Sequence, residues 1–194
     1  ATPTFLQGYI RRVLPEQFES LVYVITGAEK LPDRIRKAFK SKFGVEPLEG
    51  YGCTECAPVV SVNIPDFRAP GYYRVGTKHG TIGHPLPGLS IRICDPDTGT
   101  PLTNGAAGLL QVKGPNVMQG YLGMEEKTRE VLKDGWYDTG DIARIDDDGF
   151  ITITDRLSRF SKIAGEMIPH ARVEEVLHSL LNLTDQALAV AGVP

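Results

Sequence analysis

Glu49-Gly50-Tyr51-Gly52-Cys53-Thr54-Glu55 decides how the rest of the chain is read. A glycine stands on each side of an aromatic ring, and a hydroxyl and a carboxylate follow in succession. Glycine lets the backbone turn sharply and come close to a ligand. The Tyr51 ring offers a flat apolar face suited to a purine, and Thr54 and Glu55 are hard oxygen donors suited to phosphate and Mg²⁺. The stretch fits a corner that binds a nucleoside triphosphate. Taken alone it fits better a strand running into a turn, with Thr54 as a cap and Glu55 in solvent, so its surroundings have to decide.

Upstream, the apolar run Leu21-Val22-Tyr23-Val24-Ile25 ends at Thr26-Gly27, as a buried parallel strand does. Leu31, Ile35, Phe39 and Phe43 then repeat every four residues, with Pro32 at the start and Gly44 at the end, which predicts an amphipathic helix. Val45 to Leu48 leads into the glycine-rich stretch as a loop. Strand, helix, strand and glycine-rich loop make an α/β unit, in which ligands sit at the carboxyl ends of the strands. Gly27-Ala28-Glu29 and Tyr51-Gly52 are therefore expected at one edge. Ala1 to Arg12 carries no capping or signal pattern.

Downstream of about residue 60 the pattern changes to short β segments with turn punctuation. Ile91 and Ile93 alternate before Asp95-Pro96-Asp97-Thr98-Gly99, Leu109 to Val112 follows Gly108, and Ile142 to Ile145 and Phe150 to Ile153 flank the hairpin signal Asp146-Asp147-Asp148-Gly149. That acidic turn is too short for a calcium loop. The fold class is α/β (α+β): an α/β segment over residues 1–60 and a small distorted β-barrel or sandwich over 61–155. Residues 156–194 read as the beginning of a further α+β domain. There Arg159 to Ile168 forms a hairpin, Val173, Val176, Leu177, Leu180 and Leu181 mark one helix face, and Ala187 to Val193 a strand.

The 194 residues carry a net charge of −3, which gives no global attraction to nucleic acid or to an anionic membrane. The basic residues Arg34, Arg36, Lys37, Lys40 and Lys42 gather on the polar side of the predicted helix, either as a solvated face or as a contact for an acidic partner. Three cysteines and no secretory segment indicate a reducing, cytoplasmic setting. Cys53-x-x-Cys56 lacks the second pair or the spaced histidines of a zinc site. No apolar run approaches the ~20 residues that span a bilayer.

Two further groups carry chemistry. In Tyr137-Asp138-Thr139-Gly140-Asp141, Asp141 follows a glycine at a strand mouth, where a carboxylate can accept two ribose hydroxyls or simply organise a turn. Asp155-Arg156, with Lys162 and Gly165 after it, is by itself an ordinary surface pair and a hairpin.

Taken in order, Gly27-Ala28-Glu29-Lys30-Leu31, Tyr51-Gly52-Cys53-Thr54-Glu55, Gly83-His84-Pro85-Leu86-Pro87-Gly88, Gly114-Pro115-Asn116-Val117-Met118-Gln119-Gly120-Tyr121, Tyr137 to Asp141 and Asp155 to Gly165 resemble the adenylate-forming superfamily. That superfamily holds acyl-CoA synthetases, luciferases and peptide-synthetase adenylation domains. Within it, Gly27 to Leu31, Glu49 to Ser61 and Arg159 to Met167 look most like the acyl-carrier-protein synthetase module of bacterial bifunctional enzymes that also reacylate lysophosphatidylethanolamine. There the module follows an acyltransferase domain, sometimes with a membrane domain, so the resemblance allows a place on the cytoplasmic face of the inner membrane.

The resemblance implies a residue-by-residue assignment. Gly27 and Ala28, with Glu29, line one face of the adenine, and Tyr51, beside Gly52, stacks on the other. Thr54 meets the phosphate and Glu55 holds Mg²⁺. Asp141 and Arg156 take the ribose. Lys162 and the Gly165 loop swing in for the thioester step beside a phosphopantetheine thiol, and Ser158 stands at the hinge, where many relatives have Asp or Lys. The implied activity is ATP-dependent activation of a fatty acid and its transfer to acyl carrier protein or CoA, in phospholipid acyl recycling. Adenylation of an aryl or amino acid and a non-catalytic nucleotide-binding module are the alternatives. The family's phosphate loop is expected before Ala1 and its adenylation lysine after Pro194, so the 194 residues alone are expected to be inactive.

Overall fold

The computed structural model describes residues 1–163, 166–181 and 188–192. It opens with a helix, α1 (Pro3–Arg12), that the sequence reading passes over. The signal is short but present. Thr2 Oγ1 accepts from Phe5 N, and Pro3 takes the first helical turn, where its missing N–H costs nothing.

β1 (Val24–Thr26), α2 (Asp33–Phe43) and β2 (Pro47–Gly52) follow. β1 and β2 are parallel, with Thr26 opposite Glu49, which is the α/β unit expected. α2 stops at Gly44, whose φ of 75° is the left-handed cap that glycine takes without a Cβ penalty. Leu6, Val24, Leu31, Ile35 and Phe39 form the buried cluster that binds α1 and α2 to the sheet.

β1 is shorter and less buried than its apolar run implies. Val24 packs under the helices, but Ile25 points to the opposite side of the pleat and is 54% exposed, with Val22 and Tyr23 exposed before it. Nor is Glu49 to Gly52 a loop: Gly50 and Tyr51 pair with Val62 and Ser61 of β3 (Val59–Val62), and the ladder holds the glycines extended until the turn begins at Cys53. The basic side of α2 is largely neutralised by its own chain. Arg36 and Lys40 both pair with Glu46, and Arg36 and Lys37 with Asp33, which weakens the case for an acidic partner there.

β4 (Phe67–Ala69) and β5 (Tyr72–Arg74) form an exposed hairpin, and β6 (His84–Pro85) completes a first sheet in the order β1-β2-β3-β6. The second sheet is antiparallel. It contains β7 (Ser90–Cys94), β8 (Gly108–Lys113), β10 (Trp136–Ile145) and β11 (Ile151–Arg156) in the order β11-β10-β8-β7, with α3 (Glu125–Val131) and the short β9 (Leu132–Lys133) before β10. The two sheets are stitched together at Ile82 and Gly83: Ile82 N donates to Ile151 O at 2.8 Å and Ile151 N to Gly83 O at 3.1 Å. The distorted barrel expected takes the form of this half-barrel.

β12 (Phe160–Ile163) and β13 (Glu166–Pro169) form the expected hairpin, and α4 (His170–Leu180) the expected helix. Val176, Leu180 and Leu181 of its apolar face are exposed. Residues 188–192 form no strand, contrary to the reading of Ala187 to Val193; Glu174 instead takes the Val190 N–H at 2.8 Å.

Candidate active site

β1 and β2 end side by side, and close packing there demands glycine. A Cβ on Gly27 would stand 2.9 Å from Gly50 O, and one on Gly52 would stand 2.1 Å from Pro58 O. Ala28, next to Gly27, has a φ of 69°. For a residue with a Cβ that conformation costs on the order of 1 kcal/mol, and such local strain gathers at ligand sites. Thr54 to Cys56 form one short helical turn after β2, with Thr54 exposed.

Asp141 reaches this corner from the second sheet. It is not at a strand mouth: Tyr137 to Asp141 run within β10, and the register against β8 jumps between Asp138 and Ile142. Gly140, φ 75°, supplies the left-handed step of that bulge. The buried Asp141 carboxylate accepts from Arg156 Nε at Oδ1, 2.8 Å, and from the Tyr51 hydroxyl at Oδ2. Burial, and then the Asp141 charge, push the Tyr51 phenol far up, so it remains a donor. The Tyr51 ring packs against both inner clusters of the half-barrel, so it is anchored in the core as well as placed at the corner.

Glu55 is held in its own way. Tyr121 Oη donates to Glu55 Oε1 at 2.7 Å, and this bond is the main reason the carboxyl lies below the usual range. Among the described residues, no group of three His, Cys, Asp or Glu side chains is arranged to hold a metal. Mg²⁺ needs no such cage, because it keeps several waters and is bound by one or two carboxylates together with substrate phosphates. The ionised Glu55 beside an exposed Thr54 hydroxyl fits that pattern.

The other expected residues are less closely joined. Glu29 accepts from Thr4 Oγ1 at 3.1 Å. Ser158 lies in the short turn Leu157–Arg159 between β11 and β12, and Arg159 ties that turn to Glu174 of α4 at 2.5 Å. The backbone of Lys162 lies in β12, and Gly165 is outside the described residues.

Gly114 to Tyr121 belong to the family resemblance, but nothing in their sequence assigns them a role. In the structure this segment braces the turn: Asn116 Nδ2 donates to Cys56 O at 2.7 Å and to Val59 O at 3.0 Å, and Met118 N to Glu55 O at 2.7 Å. No local pattern foretells contacts between residues about 60 positions apart. Two open clefts flank the corner, one of about 450 Å³ beside Tyr121 and Thr128 and one of about 530 Å³ beside Leu31 and Glu49. Neither is lined by Gly27, Thr54, Asp141 or Arg156.

Known proteins share this architecture. Residues 1–122 match the family described as AMP-binding enzyme. The long-chain-fatty-acid–CoA ligase of Salmonella typhimurium is 37% identical over 177 residues, which is 91% of this chain and 30% of that protein. The feruloyl-CoA synthase of an Amycolatopsis species is 38% identical over 90% of this chain and 33% of its own length. ATP-bound MatB from Rhodopseudomonas palustris superposes with a TM-score of 0.77 at 32% identity, over 92% of this chain and 34% of MatB. The chain spans about a third of the length of these relatives. With the family motifs in order along both sheets and the match covering well over half its length, the chain belongs to the AMP-binding enzyme family.

Proposed function

We propose that the protein is part of an ATP-dependent acid–thiol ligase, and that the corner where β2 meets β10 and β11 is its nucleotide site. The observation that carries this reading is the network Tyr51–Asp141–Arg156, which brings an aromatic ring, a buried carboxylate and a guanidinium together at the end of β2, where Gly50 packs against Gly27. In this reading Gly27, Ala28 and Glu29 border the adenine, Tyr51 and Gly52 close its other side, and Asp141 and Arg156 take the ribose hydroxyls. Thr54 donates to a phosphate and Glu55 is the Mg²⁺ ligand. Mg²⁺, when bound, offsets negative charge on the phosphoryl oxygens.

A carboxylate is a poor acylating agent because oxide is its leaving group. Its oxygen attacks the α-phosphorus of ATP, the bond to the bridging oxygen breaks, and pyrophosphate departs, leaving an acyl-adenylate. A thiolate sulfur then attacks the acyl carbon and AMP leaves with the bonding electrons. The residues of this chain contribute positioning of the adenosine and donors aimed at the phosphates. For the second step we assign residues 1–155 to the large domain and 156–194 to the start of a mobile one, turning near Ser158 to bring the Lys162 and Gly165 hairpin to the thiol.

The acid is assigned to the fatty class, which the Salmonella relative's name supports; the feruloyl-CoA synthase keeps aryl acids as the second reading. CoA is the acceptor named in both relatives, whereas the Glu49 to Ser61 and Arg159 to Met167 motifs favour acyl carrier protein and, with it, phospholipid acyl recycling. The test is ATP–pyrophosphate exchange by the full-length protein with fatty, aryl and amino acids, followed by thioester formation with CoA and with holo-carrier protein. Exchange with fatty acids alone is expected, lost in Asp141→Ala. A folded protein that binds ATP and exchanges with no acid would instead be a nucleotide-binding scaffold.

A further inference from the structure

We propose that Tyr121 is a positioning residue for Glu55, an inference that rests on the reading of Glu55 as the Mg²⁺ ligand. The turn that carries Glu55 is one turn long and cannot fix a side chain by itself. What fixes it is the segment laid across it. Asn116 clamps the carbonyls of Cys56 and Val59, Met118 N takes the Glu55 carbonyl, and the Tyr121 hydroxyl takes carboxylate oxygen Oε1 at 2.7 Å.

Tyr121 is itself immobilised. Its N–H donates to Thr128 Oγ1 of α3 at 2.9 Å, Thr128 Oγ1 in turn donates to Met124 O at 3.0 Å, and the Lys127 ammonium lies 5.3 Å from the ring centre. The phenol therefore approaches Glu55 from a scaffold and not from a loose loop. Tyr121 holds carboxylate oxygen Oε1, and the backbone N–H of Glu55 and the Tyr137 side chain also favour the charged carboxylate, so Tyr121 is its main but not its sole orienting partner. Outer partners of this kind orient the ligand and commonly change metal affinity by 10–100-fold when removed.

Tyr121→Phe removes the hydroxyl and keeps the ring, its Lys127 contact and the backbone bond to Thr128. In the full-length protein with a non-hydrolysable ATP analogue, Mn²⁺ binding is titrated by the electron paramagnetic resonance of free Mn²⁺, for wild type, Tyr121→Phe and Glu55→Gln. The dissociation constant is expected to rise on the order of tenfold in Tyr121→Phe and further in Glu55→Gln. The Mg²⁺ concentration that half-saturates ATP–pyrophosphate exchange should rise by the same factor in Tyr121→Phe, with the maximal rate changed by less than about threefold. Weakened binding in Glu55→Gln with none in Tyr121→Phe would overturn the positioning role and leave Glu55 as the ligand. Unchanged binding in both would remove Glu55 from the metal site and the proposal with it. A lower maximal rate in Tyr121→Phe at unaltered Mg²⁺ dependence would reduce Tyr121 to a structural residue.

Discussion

Arg156 Nε donates to Asp141 Oδ1 at 2.8 Å, and the two residues face each other as the end pair of the β10–β11 ladder. Their burial is unequal: the Asp141 side chain is 7% exposed and that of Arg156 65%. A pair with one partner in water contributes about 0–1 kcal/mol to stability. A ligand hydroxyl that uses the same guanidinium has more at stake, because hydrogen bonds to charged groups are worth roughly 1.5–3 kcal/mol. Arg156→Gln is thus expected to leave the urea midpoint almost unmoved while raising the KM for ATP by about tenfold or more. A loss of stability with no change in KM would take Arg156 out of the nucleotide site.

Two glycines with the same backbone sign are expected to differ sharply. Gly83 and Gly140 have φ of 79° and 75°. A Cβ on Gly83 would stand 2.1 Å from Val62 C and 2.2 Å from Asn63 N, whereas one on Gly140 meets nothing within 4 Å. Gly140→Ala carries only the left-handed penalty, about 1 kcal/mol. Gly83→Ala must also push β3 away from the seam between the sheets, and more than about 4 kcal/mol is expected, in the range reserved for core disruption. Denaturant unfolding of the two variants checks this; equal costs would mean that the seam at Gly83 gives way easily.

The parts of this fold that were readable share a local cause. α2 is announced by Ile35, Phe39 and Gly44, and the β10–β11 hairpin by Asp146 to Gly149, because periodicity and turn chemistry act within a few residues. The half-barrel seam depends on Ile82 meeting Ile151, which no local pattern encodes. Thr139-Gly140-Asp141 reads as a turn because glycine and aspartate favour turns; β8 on one side and β11 on the other hold it as a bulged strand. The candidate site divides likewise. Gly27, Tyr51, Thr54, Glu55 and Asp141 are candidates named by motifs, whereas Asn116 and Tyr121 come into view through pairings that only the folded chain brings together.

Acid sensitivity should centre on Glu46. Its Oε2 takes the Lys40 ammonium at 2.6 Å and its Oε1 the Arg36 guanidinium, with side-chain exposures of 24% for Glu46 and 14% for Arg36. Burial opposes the charged form, but the bonds from Lys40 and Arg36 outweigh it and hold the carboxyl below its usual value. A carboxyl depressed in the folded state contributes its full stability above the unfolded value, about 4.3, and loses it as the pH falls through the folded value. Glu49 has the opposite sign. Burial raises its carboxyl although Gly80 N and Leu31 N donate to it, so its ionisation costs stability as the pH rises from the unfolded value through the raised one. Glu46→Gln is therefore expected to lose about 1 kcal/mol at pH 7 and to converge with wild type near pH 3. Glu49→Gln should abolish this pH dependence while giving up one of the two backbone acceptors, for Leu31 N or Gly80 N. Urea midpoints of the full-length protein at pH 3, 5 and 7 would decide, and a Glu46→Gln deficit that is constant across that range would show that packing, not charge, holds α2 to Glu46.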